Sequence, residues 1–351
     1  MRHLWGLGAL TGALALSACS TLGDTGSDTV EVGGASATVV LVTHDSFNVS
    51  RQVLRAFEQS SGLDVRIRRP GDAGTLVNQL VLTKDAPLGD VVFGIDNTFA
   101  SRALGEEVLA PYESPALPEG AEELMVDDTS RLSPVDFGDV CINADLRWFA
   151  EHDLRVPQTL QDLADPAYDD LLVVSDPATS SPGLAFLMST VVAFGEHGWL
   201  DYWEQLRANG VKVANGWSDA YYVDFSGSDG EGPRPLVLSY ASSPPSEVEG
   251  GRATTRALLD TCFRQFEYAG VLEGAANPEG AREVVDFLLS PQFQSDLPGQ
   301  MYVYPADPGA ELPPEWERFA PVPENPFVLE APQIDANRSR WVQEWTDTVV
   351  G

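Results

Sequence analysis

The sequence predicts an α/β fold arranged in two lobes. Three observations carry that reading. From Thr38 onward, short β-branched runs alternate with amphipathic segments, the pattern of a parallel, helix-covered sheet. With 351 residues, 43% of them hydrophobic, the chain is long enough for two lobes of ordinary domain size. Near its middle, the apolar run at 171–174 passes through a small polar turn, Ser175 to Ser181, into Pro182-Gly183 and a second apolar segment at 184–192. This is the pattern of a buried strand, a hydroxyl-rich turn and a helix start, with Ser as a preferred N-cap and Pro at the first helical turn. Such a start gathers backbone N–H groups and the Ser180 and Ser181 hydroxyls at a positive dipole end, which suits an anion; an ordinary capped helix has the same pattern.

Taken in order, TVVLVT at 38–43 is a first strand that ends at His44-Asp45. Val53, Leu54 and Phe57 share one face of a helix over 49–60, and Gly62 ends it. A second strand is expected at 63–68, then a turn at 71–75 (GDAGT) and a helical face of Leu76, Val77, Leu80 and Val81. DVVFGI at 90–95 is a third strand, running into Asp96 and Asn97. Ligands of open parallel sheets sit beyond the carboxyl ends of strands, which makes His44, Asp45, Asp72, Asp96 and Asn97 candidates. The acidic, proline-interrupted stretch 106–128 is expected as a surface excursion, and 134–143 as a strand entering the second lobe. Helices are expected at 160–163 and 200–208, and a strand at 211–213 leading to Trp217 and Tyr221. LVLSY at 236–240 is a buried strand, and 263–272 a long one. A helix over 279–289 is stopped by Ser290-Pro291, and 302–305 is extended. A terminal helix over 335–349 carries Trp341, Val342 and Trp345 on one side.

The formal net charge is −32, with only two lysines, Lys84 and Lys212. That balance argues against nucleic acid as a partner, since phosphate backbones need a basic patch. The N-terminus begins with a short positive stretch, Met1 to His3, followed by an apolar run at 4–15 that is short for a bilayer span. Leu16-Ser17-Ala18-Cys19 then resembles the lipobox of bacterial lipoproteins. The resemblance implies a signal peptide over 1–18, lipidation of Cys19, and a body held outside the cytoplasm on the membrane. Residues 19–37, rich in Ser, Thr, Gly and Asp, are expected as a flexible tether.

No local motif supports an enzyme. The phosphate-binding loop, the H-E-x-x-H pair and the G-x-S-x-G elbow are absent, and His44, His152 and His197 are far apart in sequence. No catalytic residue and no metal ligand set is assigned. Aromatic residues at strand ends stand out instead: Trp217, Tyr221, Tyr240 and Tyr302. Each alone is more often core, but together they suit flat or cationic rings. Asp45, Asp96 and Asp136 are placed to hold an amino group or balance a cationic ring.

The chain resembles the thiamine-binding proteins of bacterial ABC importers, within the type II periplasmic-binding superfamily. The matching segments are THDSF (43–47), GIDNT (94–98), PVDFG (134–138), SDPATSSPGL (175–184), NGWSDAY (215–221), LVLSYASSP (236–244), FLLSPQFQ (287–294) and WVQEW (341–345). The resemblance runs from about Val39 to Val349. It implies an α/β fold of two lobes with a ligand cleft between them: 38–139 and 263–351 forming one, 140–262 the other. It implies thiamine or a thiamine phosphate as ligand, a membrane permease as partner, a monomer, and no cofactor. Trp217 and Tyr240 match aromatic ligand contacts, and Tyr302 falls where the family can carry Trp. Ser180, with Asp72, Gly74 and Thr75, matches the phosphate or hydroxyethyl end. His44 replaces a Tyr, and Ser246 stands where another Tyr is expected. In the resembled fold the segments of Cys141 and Cys262 approach each other, so a disulfide is expected there; two separate buried thiols are the alternative. The same fold serving an iron–anion complex or a polyamine is the second reading. A secreted enzyme that cleaves a thiamine-like compound is the third, and it would need a reactive Cys or a general base at the cleft.

Overall fold

The computed structural model describes residues 37–229 and 232–351. Cys19, the expected signal peptide and all of the expected tether but Ala37 lie outside the described residues.

Strand β1 (Thr38–Thr43) is followed by helix α1 (Arg51–Ser61), whose start is fixed by the Ser50 hydroxyl accepting from the Val53 N–H. Gly62, at φ 75°, takes the left-handed conformation that ends it. Strand β2 (Asp64–Arg68), helix α2 (Ala73–Leu82) and strand β3 (Val91–Asp96) complete the first run. The 13-residue strand β4 (Ser133–Asp145) enters the second half, where strand β5 (Leu172–Ser175) leads to helix α3 (Ser181–Ala208). Strands β6 (Lys212–Ala214) and β7 (Leu236–Tyr240) follow, and then strand β8 (Phe263–Leu272). Helices α4 (Pro278–Leu288), α5 (Pro291–Met301) and α6 (Ala331–Val349) close the chain.

The strands form one sheet in the order β2-β1-β3-β8-β4-β7-β5-β6. It is mixed, which corrects the parallel sheet expected from the alternation of elements. β1 pairs in parallel with β2 and β3, and β5 with β6 and β7, but β8 runs antiparallel to both β3 and β4. Local alternation fixes only the nearby pairs; the pairing of Val91 with Val271 is set across the whole chain. Long β4 and β8 join the two halves of the sheet, with Phe263 opposite Val140 and Glu267 opposite Asp136. Both are largely buried because helices and loops cover both faces.

Four further expectations are amended. The two helices expected at 184–192 and 200–208 belong to α3, with a break at Gly195 (φ 69°, ψ 174°). Ser290-Pro291 ends one helix and begins another: the Ser290 hydroxyl accepts from the Phe293 N–H, and Pro291 takes the first helical position, giving the unexpected α5. Tyr302 is not extended but sits at φ 58°, capping α5, and strand pairing covers only Tyr304–Pro305. The excursion at 106–128 contributes to the fold, since Leu109–Ala110 pairs with β8 and Ala121 is buried. The expected disulfide is present: Cys141 and Cys262 are bonded, with Cα atoms 4.2 Å apart. Trp341 and Trp345 of α6 are buried, and Trp345 meets Trp203 of α3 edge to face at 5.5 Å.

Candidate ligand-binding site

At the carboxyl end of β1 the chain opens onto a cavity of about 360 Å³. One wall comes from the first run. His44 and Asp45 end β1, and Arg69 follows β2. Gly94 makes the His44 position possible, since a Cβ there would stand 2.1 Å from the imidazole ring. The His44 Nδ1 is 2.9 Å from the Ser46 hydroxyl, and its Nε2 is 3.6 Å from the Glu267 carboxylate. Burial, then the Arg69 charge, lowers the His44 pKa to about 4, so the ring is neutral near pH 7. The Arg69 guanidinium is turned to the Phe47 carbonyl, to which it donates twice.

The opposite wall is aromatic. Trp217 donates its indole N–H to the Ser239 hydroxyl at 2.9 Å, which fixes the ring. Tyr221 stacks behind it at 5.0 Å and 19°, and gives its hydroxyl to Glu247. Tyr222 meets Trp217 edge-on at 5.4 Å, and Tyr302 does so at 6.1 Å. The Tyr222 and Tyr302 hydroxyls are 3.3 Å apart, although 80 residues separate them in sequence. The left-handed Tyr302 backbone is held by the Ser242 hydroxyl, which donates to its carbonyl. Tyr240 completes the wall against Gly138, where a Cβ would come within 2.8 Å of its ring.

The floor is acidic. Glu267 lines the cavity from β8. Burial, then repulsion from Asp96, raises its pKa to about 8. Behind it Asp136 is fully buried, and among the described residues no backbone N–H, hydroxyl or basic side chain reaches its carboxyl oxygens. Burial and the Glu267 carboxylate hold Asp136 well above the usual range.

Of the expected site residues, His44, Asp45, Trp217, Tyr240 and Tyr302 line the cavity. Asp72, Gly74, Thr75, Asp96, Ser180 and Ser181 are brought together, but as a buried clasp. Asp72 caps α2 through the Ala73 N–H and also accepts from the N–H groups of Ser181 and Trp217. The Thr75 N–H donates to the Thr179 carbonyl, and Gly74 allows that approach, since a Cβ there would lie 2.7 Å from that carbonyl. The Ser180 hydroxyl accepts from the Gly183 N–H, and that of Ser181 donates to Asp96. Thr98 and the Phe99 N–H also serve Asp96, which burial holds up at about 6. At this helix start the protein's own carboxylates, Asp72 and Asp96, take the N–H and the hydroxyl of Ser181. Asn97 bonds the β8 backbone at Arg264 and Phe266.

Sequence reasoning missed Tyr222, Arg69 and Glu267. For the tyrosines, the doublet at 221–222 was visible, but only the helical turn over this segment decides which ring faces the cavity. For Glu267 the signal was an acidic residue inside the otherwise aromatic and apolar strand FRQFEYAGVL.

The family model of bacterial extracellular solute-binding proteins matches residues 86–328. The chain belongs to this family. It is 27% identical over 325 residues to the thiamine-binding periplasmic protein of Brucella suis biovar 1 (strain 1330), covering 89% of this chain and 92% of that one. It is 27% identical over 326 residues to the thiamine-binding periplasmic protein of Salmonella typhimurium (strain LT2), covering 90% and 94%. A solved periplasmic thiamin binding protein superposes with a TM-score of 0.78 at 25% identity, over 89% of this chain and 96% of that one. The architecture is therefore that of the two-lobed periplasmic binding proteins.

Proposed function

We propose that this protein captures thiamine outside the cytoplasm and delivers it to the permease of an ABC importer. The carrying observation is a cavity with Trp217, Tyr222, Tyr240 and Tyr302 on one side and Glu267 in its floor. Thiamine joins an aminopyrimidine to a delocalised thiazolium cation. Ring faces attract such a cation, and a carboxylate floor balances its charge. The relatives named above support the choice of thiamine. In this reading the lobes comprise 38–139 with 263–351, and 140–262, and the ligand lies between them. The chain acts as a receptor and not as an enzyme, and Cys19 carries the lipid that keeps it at the membrane.

One observation favours a second reading. The paired Tyr222 and Tyr302 hydroxyls resemble a phenolate site for a hard cation such as ferric iron. Such a site needs ionised phenols, and burial raises the Tyr222 pKa away from ionisation. Among the described residues, no group of three or more His, Cys, Asp and Glu side chains is placed to hold a metal ion. Titration calorimetry with thiamine, spermidine and ferric citrate separates the readings. Saturable binding of thiamine alone is expected; binding of iron or spermidine without thiamine would reject the proposal.

A further inference from the structure

The cavity floor holds two carboxyl groups on neighbouring strands. Glu267 of β8 lines the cavity, and Asp136 is its cross-strand partner on β4. Asp136 is fully buried, and among the described residues no backbone N–H, hydroxyl or basic side chain reaches its oxygens, which leaves the Glu267 carboxyl as its neighbour. This is unlike the clasp behind it, where Asp72 and Asp96 are served by backbone N–H groups and hydroxyls. Among the described residues, no cation forms an ion pair with either carboxyl at neutral pH. His44, facing it from the end of β1, is neutral near pH 7, and the Arg69 guanidinium is engaged by the Phe47 carbonyl. The remaining groups that act on the pair bring only negative charge or none: Asp96 from β3, Asp72 from the start of α2, and the Tyr240 phenol from β7. Two carboxylates in one dry site repel, so without a ligand the pair retains a proton.

We propose that Glu267, backed by Asp136, is the counter-ion of the ligand's ring cation, and that seating the cation expels one proton from the pair to solvent. The step balances: a neutral Glu267 carboxyl and a ligand of charge +1 give a carboxylate–cation contact and one released proton. The inference rests on the thiamine reading. It adds a specificity device, since a neutral ring of the same shape gains nothing from displacing the proton. It also sets a direction. Binding that releases a proton tightens as pH rises until the pair is already ionised in the free protein.

Calorimetry of thiamine binding in two buffers of different ionisation heat counts the protons directly. The range from about pH 6 to about pH 8.5 keeps clear of protonation of the pyrimidine ring. The expected result is release approaching one proton per thiamine near neutral pH, with affinity rising by up to about tenfold per pH unit and flattening at the alkaline end. Thiochrome, the uncharged tricyclic oxidation product of thiamine, should bind without proton release and with a flat profile. Glu267→Gln should bind thiamine at least about tenfold more weakly and release no proton. Because that variant also alters packing, Asp136→Asn provides the second arm. It leaves Glu267 in place among the charges of Asp96 and Asp72, so proton release and the rise of affinity with pH should both persist, and their loss would overturn the assignment to Glu267. Wild-type thiamine binding with no proton exchange and a flat profile overturns the inference and leaves the receptor reading standing. No thiamine binding at any pH overturns the receptor reading and the inference with it.

Discussion

The clasp and the cavity floor lie side by side, and each is built from buried carboxyl groups, yet their chemistry is opposite. In the clasp, Asp72 accepts three backbone N–H groups and Asp96 is served by Thr98, Phe99 and Ser181. In the floor, among the described residues, no backbone N–H or hydroxyl serves Asp136, and Glu267 faces Asp136 and, at 3.6 Å, His44. A buried carboxylate with its hydrogen bonds made is a fixture of the fold; one without them is an unmet demand for positive charge. The difference separates carboxyl groups whose hydrogen bonds hold the fold from the pair that, on the proposal above, balances the ligand's charge, although all four are Asp or Glu within buried surroundings.

The largest effect is expected from a change that touches neither region. The Cys141–Cys262 bond closes a span of 121 residues, so replacing both cysteines by serine should cost up to about 5 kcal/mol of stability on the chain-entropy account. Thiamine affinity should change little. A large affinity loss in folded protein would mean that the bond also holds the cleft. Next is Asp72→Ala, which strands the Ser181 and Trp217 N–H groups. A stability loss of about 2–4 kcal/mol is expected in urea unfolding, together with weaker thiamine binding because Trp217 loses its backbone anchor. Unchanged unfolding would remove the clasp from the comparison. Trp217→Ala should weaken thiamine binding by about 1–2 kcal/mol, or roughly tenfold, with a smaller effect on folding. Calorimetry showing unchanged affinity would exclude the aromatic wall.

Ser180→Ala tests whether the helix start holds an anion or only itself. The lost cap should cost about 1 kcal/mol of stability. Thiamine, its monophosphate and its diphosphate should all lose affinity alike. A selective loss for the phosphates would restore the anion seat at Ser180. A last test is the pH dependence of the ligand-free protein. Folding raises Glu267 from 4.5 to about 8 and Asp96 from 3.8 to about 6. Across those windows the folded state holds protons that the unfolded state has released, so these groups lose stability as pH rises. The melting temperature should drift down from about pH 5 to about pH 8, and less steeply in Glu267→Gln. A rise over that range, the same in both proteins, would count against the raised carboxyl of the floor.

Much of this was legible without coordinates. β1 matches its expected span, β2 and β3 lie within one residue of theirs, and the expected Trp341 and Trp345 face is the one that packs, because periodicity and burial are local consequences of residue type. The α5 start was equally present in Ser290-Pro291, but a dipeptide that can end one helix and begin the next has two meanings until the chain folds. The sequence by itself determined the α/β class, the strand ends where His44, Asp45, Trp217 and Tyr240 gather, and the aromatic character of the site. Only the tertiary structure decided the mixed sheet, the choice of Tyr222 over Tyr221 at the cavity, and the split of the carboxyl groups between clasp and floor. Each of those depends on pairings such as Asp136 with Glu267 or Asp72 with Trp217, more than a hundred residues apart, where hydrogen-bond supply and desolvation are fixed by neighbours that no local pattern names.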